Sequence, residues 1–175
     1  MSVPEFSSQD EHFMRRALEL AAIAESEGEV PIGAVLVKDG EIISEGWNRS
    51  IGQHDSTAHA EVEVIRKAGQ VLENYRLLDT TLYVTLEPCP MCAGALLHSR
   101  VKRVVYGASD LKAGAAGTVL DLFESQAAYH YAEVEKGLLE EDCRAVLQAF
   151  FKRRRKEIKE RKRQMKLDLE MKDNE

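Results

Sequence analysis

No apolar run in this 175-residue chain approaches the roughly 20 residues needed to cross a bilayer. The first residues, Met1 to Phe6, lack the basic and apolar regions of a secretory leader. Cysteine is scarce: Cys89, Cys92 and Cys143 are the three present, and an odd total argues against a disulfide framework. From these absences we expect a cytoplasmic protein with no membrane partner, whose thiols stay reduced and available to metal. Internal repeats are also missing, and nothing marks a second folded domain. The length suits a single domain with a full hydrophobic core.

What is present is unevenly distributed. The net charge is −6, yet Lys152 to Lys166 holds ten Lys or Arg against two Glu, so the rest of the chain carries −14. Segregation of this kind is the electrostatic footprint of a nucleic-acid binder. The competing explanation, which charge alone slightly favours, is a solvated helix laced with i,i+4 ion pairs such as Glu157 with Arg161.

Local signals alternate. Ser8 and Glu11 suggest a capping box for a helix to about Glu27, with Phe13, Ala17, Leu20, Ala21 and Ala24 on its buried face. Two β-rich runs, Ile32 to Lys38 and Glu41 to Trp47, flank Asp39-Gly40, a strong hairpin signal. Asp55-Ser56-Thr57 offers caps for a helix from about Ala58 to Gly69. Thr81 to Thr85 reads as a buried strand, and Pro90 suits the first turn of a helix to about His98. Arg103 to Tyr106 and Tyr131 to Glu135 read as further strands around an irregular, Gly/Ala-rich stretch from Gly107 to Phe123. A last helix starts near Leu139 and runs into the basic tail. The pattern predicts an α/β sandwich with a mixed sheet.

The chemistry is carried by His59-Ala60-Glu61 and Pro88-Cys89-Pro90-Met91-Cys92. One His and two Cys make three zinc ligands, and a site with three protein ligands keeps its fourth position for water, which is usual for catalytic centres. The H-x-E…P-C-x-x-C pair is the known signature of zinc nucleobase deaminases, bacterial tRNA deaminases among them. Cys89 and Cys92 are placed at i,i+3 on one side of a helix's first turn, whose positive end favours thiolate. Alone, Cys-x-x-Cys also fits a redox pair; the His and Glu make metal the stronger reading. Spacing does not choose the catalytic carboxylate. On a regular helix Glu63, at i+4 from His59, shares its face and Glu61 does not; the signature picks Glu61. Glu87, beside the thiolates, is expected to hydrogen-bond around the metal site. Cys143 reads as a small buried hydrophobe.

With these residues in place the chain resembles the bacterial tRNA-specific adenosine deaminases of the cytidine-deaminase-like superfamily. The resemblance runs from about Glu29 to Phe151, through Glu29-Val30-Pro31-Ile32-Gly33, Gly46-Trp47-Asn48-Arg49, His54 to Glu61, Asn74-Tyr75-Arg76, Thr85 to Cys92 and Lys112 to Gly117. It implies a three-layer α/β/α sandwich around a five-stranded mixed sheet, and a homodimer with active sites near the subunit interface. It further implies one zinc per chain, held by His59, Cys89 and Cys92, with Glu61 as proton shuttle. Asn48 would hydrogen-bond the base, Asp110 and Lys112 would meet flanking nucleotides, and Phe151, Arg153 and Arg154 would touch the anticodon stem-loop of a tRNA. The implied reaction turns the wobble adenosine of an arginine tRNA into inosine. Residues 1–155 would form the zinc deaminase domain, and 156–175 a helical tail that is basic and then mixed in charge. Two rivals remain: a deaminase of a free base or nucleotide, and a non-catalytic zinc-stabilised RNA-binding module. Residues read singly point elsewhere, to a turn cap for Asn48, loop charges for Asp110 and Lys112, core for Phe151 and solvated charge for the Arg pair.

Overall fold

A computed structural model describes residues 5–126, 128 and 130–172. The sheet has the order β2-β1-β3-β4-β5, built from β1 (Gly33–Lys38), β2 (Glu41–Trp47), β3 (Thr80–Leu86), β4 (Arg103–Ala108) and β5 (Glu133–Lys136). β1 is antiparallel to both β2 and β3, while β3, β4 and β5 are parallel. β2 therefore points the same way as β3 and β4, and all three end at one edge. That edge carries the site.

Strand alternation separates two apolar faces. On one, α1 (Ser8–Ser26) and α5 (Glu140–Lys172) cover Val35, Val37, Tyr83 and Val105. On the other, α3 (Ala60–Val71) and α4 (Pro90–His98) cover Leu36, Leu82, Val84, Val104 and Tyr106. This is the expected three-layer sandwich. Asp39 and Gly40 both have positive φ, as the tight type I′ hairpin turn requires. A short α2 (Ser50–Gln53), which no sequence signal marked, follows β2.

Other boundaries shift for identifiable reasons. The capping box of α1 is Ser7 with Asp10, one residue before the pair expected from Ser8 and Glu11. Asp55 does not cap α3. Its carboxylate accepts from the Thr57 amide at 2.8 Å and the Thr57 hydroxyl at 2.7 Å, closing a local turn, so the helix starts at Ala60 instead of Ala58. β5 starts at Glu133, two residues later than Tyr131. α5 runs unbroken through residue 155, and every residue from Phe151 to Met171 is exposed. The last three residues of the expected tail lie outside the described part. Cys143 is buried against the sheet, as expected, and burial raises its thiol to about 12. Among the described residues no helix is long and apolar enough to cross a membrane.

Asp10 ties α1 to the sheet. Besides capping, its carboxylate accepts from Arg103 at 2.7 Å on β4 and from the Tyr83 hydroxyl at 2.6 Å on β3, and Arg103 pairs onward with Glu135 on β5. Burial raises the Asp10 pKa, but the bonds from Arg103, Tyr83 and Ser7 outweigh it and hold the group below the usual carboxylate range. A depressed folded pKa means the stabilisation is complete above the unfolded value of about 3.9 and is lost as pH falls through and below it. Asp10→Asn should cost about 1.5 to 3 kcal/mol at neutral pH, and urea melts should show the gap from wild type closing below about pH 3.

Candidate zinc and active site

Each side of the metal site is set at a helix N-terminus. His59 is the N-cap of α3, with extended backbone (φ −80°, ψ 155°), and Cys89 is the N-cap of α4 (φ −74°, ψ 171°). Neither side chain caps its own helix. Cys92 is the third residue of α4, and Pro90 takes the first position, where its missing N–H costs nothing. Cys89 thus sits just ahead of the helix, where i,i+3 spacing had put both thiols within its first turn. The Asn48 side chain supplies the cap that His59 does not. Its Oδ1 accepts from the Ala60 amide at 2.9 Å. Because that amide can only donate, the two Asn48 Nδ2 hydrogens remain for other acceptors. Gly46 permits the close approach of this turn to β2, since a Cβ there would lie 2.8 Å from the Ala60 carbonyl.

The His59 Nδ1 lies 3.7 Å from Cys89 Sγ and 3.5 Å from Cys92 Sγ. A tetrahedral zinc with Zn–S of about 2.3 Å and Zn–N of about 2.0 to 2.1 Å needs S···N separations of about 3.5 Å. The donor set and its spacing fit zinc. Among the described residues these three form the group able to hold a metal, and no carboxylate belongs to it. Protein groups alone already polarise the trio. The bond from Cys92 and that from His59 push the Cys89 thiol down to about 4, while the Cys89 partner and burial push Cys92 up. His59 is raised, chiefly by its bond to Cys89.

Glu61 is fully buried beside them. Burial raises its pKa to about 7, while its own backbone amide and His59 pull the other way, and its carboxyl contacts Cys92. Glu63 turns away and pairs with Arg66 at 3.4 Å. The i+4 argument for Glu63 fails because His59 precedes the helix, so helical spacing does not apply to it.

The other expected contacts fall on two sides of α5. Lys112 and Phe151 line one groove of about 910 Å³, together with Val30, Leu147, Arg144, Lys152 and Arg155. Asp110 also lines it, but its Oδ1 closes a turn by accepting from the Lys112 amide at 2.9 Å. Arg153 faces elsewhere and pairs with Glu25 of α1 at 2.5 Å, and Arg154 pairs with Glu157 at 3.4 Å. Helical spacing from Phe151, at i+4 and i−7, would have selected Arg155 and Arg144. Glu29 was also missed. Its buried carboxylate accepts from the amides of Ile51 at 3.1 Å and Gly52 at 2.7 Å, which fixes the segment after Asn48. Partners over twenty residues away leave no sequence signal. His130 bonds the Val101 carbonyl at 3.0 Å and is no ligand.

A His and two Cys at helix N-termini on the edge of a mixed sheet, with a buried carboxylate that is not a ligand, define a zinc-dependent deaminase. Residues 7–108 match the family described as the cytidine and deoxycytidylate deaminase zinc-binding region. The tRNA-specific adenosine deaminase of Haemophilus influenzae is 56% identical over 154 residues, covering 87% of this chain and 89% of its own. A structure from a study of A-to-I editing by tRNA:A34 deaminases at the wobble position of transfer RNA aligns with TM-score 0.76 and 46% identity, over 78% of this chain and 99% of the other. A guanine deaminase from Bacillus subtilis aligns with TM-score 0.57 and 41% identity, over 81% and 93%. The chain belongs to the tRNA-specific adenosine deaminases within this zinc-binding family.

Replacing Cys92 by Ala should remove zinc and lower the melting temperature, because metal-binding energy is part of folding energy. Metal analysis tests the ligand set; a full equivalent of zinc in that variant would refute it.

Proposed function

We propose that this chain deaminates the wobble adenosine of an arginine tRNA anticodon to inosine. The observation that carries the chemistry is Glu61, buried against the thiolates without being a ligand. His59, Cys89 and Cys92 would hold the zinc, which would supply Lewis acidity and bring the pKa of a bound water down to about 7. Glu61 takes the proton of that water and delivers it to N1 of adenine as oxygen adds to C6. Glu61 then takes the remaining proton from the new C6 hydroxyl and passes it to the C6 amine; the C–N bond breaks as the C6 carbonyl forms, and ammonia leaves inosine behind. Burial tunes Glu61 for both transfers, since a shuttle works best with a pKa near the operating pH. Asn48, its oxygen fixed by Ala60, donates through Nδ2 to the base and orients it.

The groove beside α5 supports RNA over a free base. Lys112, Lys152 and Arg155 line it with Phe151 and Leu147, as does Arg144, which pairs with Glu140 and Glu141. Phosphates suit the cations and an unstacked base suits the ring, whereas a free nucleobase needs neither. An anticodon loop presents bases already unpaired, which splay out at little cost. The guanine deaminase likeness keeps free-base deamination as the second reading. Incubation with total tRNA, followed by sequencing for adenosine-to-inosine changes, separates the two. Inosine at the wobble position of an arginine tRNA is expected; ammonia released only from free bases would overturn the proposal.

Glu61→Gln should retain zinc and tRNA binding and lose roughly 100- to 10,000-fold or more in turnover, whereas Glu63→Gln should stay near wild type. The reverse result would move the shuttle to Glu63. For the groove, Lys152→Ala with Arg155→Ala should weaken tRNA binding and reduce the salt slope by roughly 0.7 to 0.9 per lost phosphate contact. Arg153→Ala, whose guanidinium is paired with Glu25, should change the slope less. Equal slopes in all three proteins would place the phosphate contacts elsewhere.

A further inference from the structure

Glu87 lies two residues before Cys89 and is 2% exposed, and its carboxylate bonds to the loop after β4. Oε2 accepts from the Asp110 amide at 3.0 Å and from the Thr118 hydroxyl. Oε1 accepts from the amides of Ala116 at 3.0 Å and Thr118 at 3.1 Å. The flanking backbone adds two more ties: the Glu87 amide to the Ala108 carbonyl at 2.8 Å, and the Ala115 amide to the Pro88 carbonyl at 2.9 Å. Both ends of the loop after β4 are thus fastened to the segment that leads into the zinc ligands, with Lys112 between them. Gly114 makes room for the arrangement, since a Cβ there would lie 2.4 Å from Glu87 Oε2.

A buried carboxylate is costly unless donors surround it, and four donors from one loop supply them. We propose that Glu87 is a positioning residue that fixes the substrate-facing loop 109–118 relative to the zinc ligands. It thereby sets the distance between the target base and the nucleotides beside it. This rests on the reading that Lys112 meets RNA. The contact is rigid because both carboxylate oxygens are used. A glutamine would turn an NH2 group toward N–H donors and leave them unpaired.

The test measures steady-state kinetics on an anticodon stem-loop, with zinc content determined in parallel. Glu87→Gln should raise KM about tenfold or more with zinc stoichiometry unchanged and kcat much less affected. Thr118→Val, which removes one donor at constant shape, should do the same more weakly, and Thr118→Ser should restore the wild-type KM. The KM effect should shrink when Lys112→Ala is already present, because both changes act through one contact. Additive effects, or loss of zinc with unchanged KM, overturn the positioning role. So does an unchanged KM in both Glu87→Gln and Thr118→Val when Lys112→Ala raises it. An unchanged KM in Lys112→Ala itself overturns the RNA-facing reading of the loop, and the positioning role falls with it.

Discussion

Everything at the site depends on two helix N-termini meeting at one edge of the sheet. The antiparallel β1 turns β2 to run with β3 and β4, so the segments after all three strands emerge together. α3 and α4 then start from this edge with their positive ends toward the same point. Extended backbone at both N-caps aims His59 and Cys89 forward of the helices, not along their sides. The electropositive ends favour thiolate, which zinc requires.

The arrangement has a cost that the fold meets locally. A helix N-terminus wants a capping side chain, and here both N-cap residues are metal ligands. Asn48 caps α3 from the end of β2 instead. One residue therefore closes the helix and ties it to the end of the strand.

The sequence made the metal ligands legible because their chemistry is local: one His, two Cys, and Pro90 marking the start of α4. The hairpin at Asp39-Gly40 was legible for the same reason, since both residues must take positive φ. Glu61 was legible through the H-x-E signature but not through helical spacing, because His59 lies outside the helix. Arg153 and Arg154 were expected to join Phe151 on the strength of the resemblance alone, which carries no information about their ion pairs with Glu25 and Glu157. Glu29 and Glu87 escaped functional notice, or were given the wrong partners, because their bonds reach 22 to 31 residues away. No local pattern encodes such a contact.

Glu61, Glu63 and Glu87 are all buried acidic residues near one metal site, and their partners decide what each does. Glu87 receives four hydrogen bonds, so its oxygens are committed as acceptors and the group serves as a fixed post. Glu63 has a guanidinium beside it and stays an ion-pair partner. Burial raises the Glu61 carboxyl above the usual range, and its own backbone amide and His59 oppose that only in part. The distinction is one of donor count. A carboxylate surrounded by N–H groups holds a loop well and shuttles protons badly, because protonation would break the bonds that keep it in place. A catalytic carboxylate needs the opposite: enclosure that excludes water, with few donors to oppose protonation. The two kinds come from different places, Glu61 from the first turn of α3 and Glu87 from just after β3, where an adjacent loop satisfies it.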